Sequence, residues 1–232
     1  MYINNEIGSV LPVEKIKRII EMKKAPALFH ADCVQAFGKV KFSPKKLGAD
    51  LVSVTAHKIH GPKGTGALYI KKGARILPRT FGGEQEKRMR PGTEASPLIA
   101  GFGAAAAALP DLQMQSRAVG ELNAYLKEKL SGIDGIWFNS DENASPYILN
   151  VYIPTFMRSQ TIVQELSSKY EVYVSNGSAC AKGKKSHVLA AMHLSDETAD
   201  KSIRISFSRF NTRQDCERCA AAIKDLTEKH PR

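Results

Sequence analysis

The sequence lacks any uninterrupted apolar run of the ~20 residues that a helix needs to cross a bilayer, and it has no basic, apolar and small-residue leader of the secretory type. Cysteine is scarce, with only Cys33, Cys180, Cys216 and Cys219. So few thiols, without a leader, argue against a disulfide scaffold and for a reducing compartment. The expectation is a cytoplasmic protein that does not engage a membrane. Aromatic residues make up 7% of the chain and show no stacking pattern among the basic clusters. With no nucleic-acid fold signature either, a nucleic-acid partner is not expected. Acidic residues are outnumbered 23 to 34, a net charge of +11. That imbalance favours phosphates, anionic cofactors or acidic partner surfaces. Repeats are absent, and the one low-complexity tract is Ala104 to Ala108.

What is present is ordinary globular material, 43% hydrophobic and 25% charged, which excludes disordered and collagen-like classes. At 232 residues the chain has room for one domain or two, and the pattern predicts two unequal units. Pro12 opens a helical stretch in which Val13, Ile16, Ile19, Ile20 and Met22 recur near helical spacing. A short buried strand is expected from Ala27 to Ala31, ending at Asp32. A second strand, Ala49 to Thr55, runs into Ala56-His57-Lys58, followed by the turn Gly61-Pro62-Lys63-Gly64 and a strand from Ala67 to Ile70. The alanine-rich run from Pro97 to Leu109 reads as a helix that Pro110 breaks. Beyond it, helices at Ala118–Leu130 and Thr161–Tyr170, strands at Ile136–Asn139, Tyr147–Ile153, Val172–Ser175 and Ile203–Ser208, and a last helix predict an α+β unit. The strand and helix alternation of the first part predicts an α/β sheet, whose ligands sit beyond the carboxyl ends of its strands. Asp32 and Lys58 both lie at such ends.

A lysine at the end of an apolar strand, flanked by His57 and a glycine-rich turn, is a candidate Schiff-base lysine. A free lysine titrates near 10.4, so it needs an aldehyde cofactor and a tuned site to act as a base near neutrality. Pyridoxal phosphate also requires an acid beside its ring nitrogen, and Asp32 ends the preceding strand. A plain surface lysine and a capping aspartate fit the same pair of residues. Cys180 stands in the small-residue stretch Ser175 to Lys185, where Lys182, Lys184 and Lys185 favour the nucleophilic thiolate; an incidental loop cysteine is the alternative. Cys216 and Cys219 form a C-x-x-C inside an expected helix, with neither a βαβ context nor two further zinc ligands, and read as structural. Cys33 reads as a small buried filler.

Six motifs occur in order: Asn4-Asn5-Glu6-Ile7-Gly8, His30 to Gln35, Thr55 to Gly64, Arg88-Met89-Arg90-Pro91-Gly92-Thr93, Ser178-Ala179-Cys180 and Arg204-Ile205-Ser206-Phe207. Together they resemble the NifS/IscS-like cysteine desulfurases of the class V aminotransferases, and the resemblance runs from end to end of the chain. It implies an α/β fold of the pyridoxal-phosphate transferase fold type I. Residues 1–112 would be the carboxy-terminal part of the cofactor-binding large domain, and 113–232 an α+β small domain carrying the catalytic cysteine. It further implies that Lys58 holds the pyridoxal 5'-phosphate and moves the substrate Cα proton. Asp32 would pair with the pyridine nitrogen, Gln35 with the phenolic oxygen, and Thr55 and His57 with the phosphate. Thr93 would reach the phosphate of a neighbouring subunit in a homodimer. Asn5 would lie by cofactor and substrate, and Arg204 would grip the substrate carboxylate.

The implied reaction converts L-cysteine to L-alanine, leaving a persulfide on Cys180 for a sulfur-acceptor or iron–sulfur scaffold protein. Two departures qualify the resemblance: Lys182-Gly183-Lys184-Lys185 replaces a usual serine-rich continuation, and the family's first part, with a Gly-Ala-Thr phosphate loop and a ring-stacking histidine, has no counterpart here. The sequence therefore also accommodates a half-enzyme or non-catalytic remnant, and a related selenocysteine or cystine lyase that depends less on Cys180.

Overall fold

A computed structural model of the 232-residue chain describes residues 1–176 and 186–232. It contains two compact units, one of residues 1–3 and 11–112, the other of residues 4–10 and 113–232. Each is organised on its own three-stranded sheet.

In the first unit a short 3-10 turn at Val13–Lys15 leads into α1 (Ile16–Met22). β1 (His30–Asp32), α2 (Pro44–Leu47), β2 (Leu51–Thr55) and β3 (Gly66–Ile70) follow, and then α3 (Ser96–Ala107). α2 is delimited by its sequence: Ser43 accepts the Lys46 amide as N-cap, Pro44 takes the first turn, and Gly48 closes the helix at φ 66°. β1 and β2 pair in parallel and β3 joins β2 antiparallel, with Asp32 opposite Ser53 and Thr55 opposite Gly66. Phe29, Ala31, Cys33, Ala36, Val52, Ala56 and Ile59 form the core. Asp50 is also buried and accepts the Phe29 amide at 2.9 Å, with Lys17 Nζ at 3.2 Å and Lys71 Nζ at 3.7 Å. The helix expected after Pro12 forms, but its apolar periodicity finds no burial within this unit: α1 has no buried residue, nor do β3 and α3.

The second unit begins with α4 (Leu112–Ser131), most of which belongs to it. β4 (Trp137–Phe138), β5 (Ile148–Tyr152), α5 (Ser159–Tyr170), α6 (His187–Ala191), α7 (Asp196–Asp200), β6 (Ser202–Ser206) and α8 (Arg213–Lys229) complete it. The sheet is antiparallel in the order β4-β5-β6, with Asn150 opposite Arg204. β5 is buried along its whole length. α8 starts from a reciprocal capping box between Thr212 and Asp215. It buries Cys216, Cys219, Ala220, Ile223 and Leu226 at helical spacing; full burial of an aliphatic such as Ile223 or Leu226 is worth about 2 kcal/mol each.

The strand expected at Val172–Ser175 does not form as such. Glu171 caps α5 in the left-handed region at φ 54°, and the Val172 amide is spent on Leu166 O at 3.0 Å. Pairing resumes only at Ser175, which bridges to Arg204.

Candidate active site

Because β1 and β2 are parallel, the first unit sends the chain out of both strands at one end of the sheet. Asp32 is the last residue of β1, is exposed, and accepts the Val34 amide on Oδ1 at 2.9 Å. The Cys33 amide donates to Ser53 O at 2.9 Å, so strand pairing fixes the backbone that carries the carboxylate. Gln35 is buried, and its Oε1 accepts from Lys39 Nζ at 3.1 Å. With the carbonyl engaged, the amide NH2 is the donor that Gln35 has to offer a ligand.

β2 continues into a 3-10 turn, Ala56–Ile59, which carries His57 and Lys58. Buried Ala56 and Ile59 anchor the turn, and the Gly61 amide returns to Ala56 O at 3.0 Å. Lys58 is half-buried in this turn. Thr55 Oγ1 lies 2.9 Å from His57 Nδ1 and donates to Thr65 O at 3.1 Å. A hydroxyl has one proton, so with it on Thr65 O the ring donates from Nδ1 and leaves Nε2 as an acceptor. Burial, with Lys58 and Lys63 adding to it, pushes His57 below the usual imidazole range. The neighbouring Cys33 thiol is pushed up to about 11, by burial first and the Asp32 charge second. Thr93 is exposed, in the stretch between β3 and α3 that holds only one short 3-10 turn.

In the second unit Arg204 occupies the middle of β6. Its amide donates to Ser175 O at 2.6 Å and its carbonyl accepts the Ser175 amide at 3.1 Å. Nη1 donates to the Asn5 carbonyl at 2.9 Å. Burial lowers the guanidinium pKa and Glu6 opposes that shift; a guanidinium titrates so far above neutrality that it stays charged. Asn4 shapes the turn that presents Asn5, its Oδ1 accepting the amides of Glu6 at 2.8 Å and Ile7 at 3.0 Å. Gly8, at φ 78°, lies where a Cβ would come within 3.1 Å of Ile148 O. The first unit thus gathers Asp32, Gln35, Thr55, His57 and Lys58, and the second joins Asn5 to Arg204. Cys180 lies outside the described residues.

The profile of the aminotransferase class-V family matches residues 1–219. The chain belongs to this family. Among curated relatives, this class V aminotransferase chain is 40% identical over 234 residues to a cysteine desulfurase of Gluconacetobacter diazotrophicus, an alignment covering 99% of the chain and 58% of the relative. It is 36% identical to the cysteine desulfurase IscS of Methanosarcina thermophila, covering 99% of the chain and 57% of the relative. Of solved structures, a NifS-like protein superposes with a TM-score of 0.89 at 35% identity, over 99% of this chain and 60% of the other. The NifS-like protein of Rickettsia africae gives 0.88 at 32% identity, over 98% and 60%. The chain therefore spans a little under three fifths of the length of these curated relatives.

Two residues now stand beside the expected set. Glu6 is buried and accepts from Ser186 Oγ at 2.6 Å, and Asn150 Nδ2 donates to the Glu6 carbonyl at 3.3 Å. Glu6 sits inside the Asn4–Gly8 motif, and Ser186 is a serine ahead of an apolar helical run; those were the available signals. Their pairing across 180 residues had none.

Proposed function

We propose that this chain supplies the Schiff-base lysine, the substrate-carboxylate arginine and the sulfur-accepting cysteine of a pyridoxal 5'-phosphate-dependent cysteine desulfurase. The observation that carries this reading is the exit of Asp32 and the Thr55-His57-Lys58 turn from the carboxyl ends of adjacent parallel strands. The donor set fits the cofactor. Asp32 offers an exposed carboxylate for a protonated pyridine nitrogen, Gln35 an NH2 for the phenolic oxygen, and for the phosphate His57 offers Nε2–H once the ring is protonated and Thr55 its hydroxyl once turned from Thr65 O. Lys58 offers the amine, and the +11 charge suits an anionic ligand.

Bound there, pyridoxal phosphate supplies an aldehyde for amine condensation and a ring that withdraws electrons from the substrate Cα. Asp32 keeps the proton on the pyridine nitrogen, and Arg204 grips the carboxylate of L-cysteine. Lys58 then takes the Cα proton at Nζ. The Cys180 thiolate attacks the substrate sulfur: an S–S bond forms, the C–S bond breaks, and the carbon fragment leaves as L-alanine after protonation. The persulfide passes to a sulfur-acceptor or iron–sulfur scaffold protein in the cytoplasm. In this reading residues 1–3 and 11–112 belong to the cofactor domain, 113–232 to the small domain together with 4–10, which the expected boundary at 112 had left in the cofactor domain, and Thr93 serves the neighbouring subunit of a homodimer.

The exposed apolar faces of β3 and α3 favour a version of this reading in which the chain works together with further polypeptide that covers them. Among the described residues, no helix is long and apolar enough to cross a membrane, so these faces are not explained as a helical membrane span.

The test is to mix the purified chain with pyridoxal phosphate and look for a visible absorbance band that borohydride traps on Lys58, with Lys58→Ala as control. A Lys58-dependent band followed by alanine release from cysteine is expected. A folded chain with no band means that the cofactor site requires further polypeptide. Retention of desulfuration by Cys180→Ala would replace the mechanism with that of a selenocysteine or cystine lyase.

A further inference from the structure

Glu6 is a buried carboxylate, 3% exposed, that the proposed chemistry does not use. Buried carboxylates cost several kcal/mol unless charge and donors compensate them. Glu6 has both within its own unit. Ser186 Oγ donates to Oε2 at 2.6 Å, and the charge of Glu6 favours the protonated form of the half-buried Arg204 guanidinium. That guanidinium is itself fastened to the carbonyl of Asn5, the residue next to Glu6. Ser186 Oγ also accepts the Leu189 amide at 3.1 Å and so caps α6. The Glu6 backbone is pinned as well, with its amide on Asn4 Oδ1 at 2.8 Å and its carbonyl under Asn150 Nδ2. Asn150 is the partner of Arg204 across the sheet.

We propose that Glu6 is the positioning residue of the amino-acid carboxylate site, its side chain tying the start of α6 through Ser186 to the turn whose Asn5 carbonyl holds the Arg204 guanidinium. This deepens the functional reading above and rests on it for the identity of the ligand, an α-amino acid. The structural coupling it asserts does not depend on turnover. The Glu6 side chain bonds Ser186 while its backbone is continuous with the Asn5 carbonyl that holds Arg204, so disturbing the α6 cap is felt at Arg204 through this turn, and altering the Glu6 side chain is felt at both.

The test uses the full chain, nitrogen-15 labelled, and reads the Arg204 side-chain Nε–H resonance and the hydrogen exchange of the Leu189 amide. Three variants are compared: Glu6→Gln, which keeps the shape and an acceptor for Ser186 while removing the charge; Ser186→Ala; and Thr212→Ala, which uncaps α8 instead. Ser186→Ala is expected to speed Leu189 exchange about fivefold, the usual consequence of a lost cap, and to shift the Arg204 resonance as well. Glu6→Gln is expected to shift Arg204, with Thr212→Ala leaving it in place. In cofactor-loaded protein that turns over, Glu6→Gln is expected to raise KM for L-cysteine about tenfold with little change in kcat, the signature of lost ground-state binding. An unmoved Arg204 resonance in both Glu6→Gln and Ser186→Ala overturns the proposal. Coupled NMR changes in a chain that carries the cofactor on Lys58 yet releases no alanine from L-cysteine would instead sink the functional reading and leave the positioning role standing.

Discussion

Arg204 Nη1 donates to the backbone oxygen of Asn5 at 2.9 Å, joining residues 199 positions apart in the sequence. A carbonyl partner fixes the plane of the guanidinium without neutralising it, so the charge remains for an incoming carboxylate. Lysine has neither the fork nor the planarity to keep the carbonyl and bind a carboxylate in two-point fashion. Arg204→Lys is therefore expected to weaken L-cysteine by about 1.5–3 kcal/mol, the value of a hydrogen bond to a charged group. Steady-state KM in cofactor-loaded protein measures it, and an unchanged KM would remove Arg204 from the substrate site.

His57 is held below the usual imidazole range by burial and by Lys58 and Lys63. The unfolded chain therefore binds more protons than the folded one between that lowered pKa and about 6.5. This contribution to stability is present above about pH 6.5 and is lost as pH falls through the folded pKa. A phosphate placed against Nε2 reverses the shift, because a nearby anion favours the imidazolium. Titration of the His57 ring by NMR is expected to show its pKa rising when pyridoxal phosphate binds. No change on binding would place the phosphate elsewhere.

Asp50 is held below the usual carboxylate range, first by the Phe29 amide and then by Lys17 and Lys71, against a burial effect of opposite sign. Its stabilisation is thus present above about pH 4 and lost as pH falls through the lowered pKa. Asp50→Asn keeps the shape and removes the charge, and is expected to cost about 1–3 kcal/mol at pH 7. Denaturant midpoints of the two proteins should converge in acid, where Asp50 becomes protonated. A gap that does not narrow would mean that the charge is not what matters.

Cys33, Cys216 and Cys219 are buried free thiols, and burial raises all three, Cys33 to about 11 and Cys219 to about 12. Thiolates are the reactive form, so these three should resist a thiol reagent at about pH 8 until the protein unfolds. Counting reactive thiols before and after denaturant checks this. The expectation is that native labelling, mapped by mass spectrometry, falls on Cys180.

Much of this was legible because it is local. The apolar β-branched run up to Thr55 makes β2 and sets Lys58 just beyond its end, and the alanine-rich run from Pro97 makes most of α3. Elsewhere local pattern misled. Val172–Ser175 has strand composition, but the cap of α5 takes the Val172 amide first, and a single-residue bridge is all that survives. The periodicity of α1 is real, yet its apolar face finds no cover in its own unit, because periodicity reports which face is apolar and not what lies against it.

By itself the sequence determined the alternation of elements, the placing of Asp32 and Lys58 at strand ends, and the ordered motifs that mark the family. Only the tertiary structure decided that Asn5 and Glu6 leave their sequence neighbours and pack with residues 113–232. There Glu6 meets Ser186 and Asn5 meets Arg204. Hydrogen bonds across 180 and 199 residues leave no periodic trace in a sequence. A buried carboxylate needs a donor, but nothing in its neighbours says which distant strand or helix will bring one.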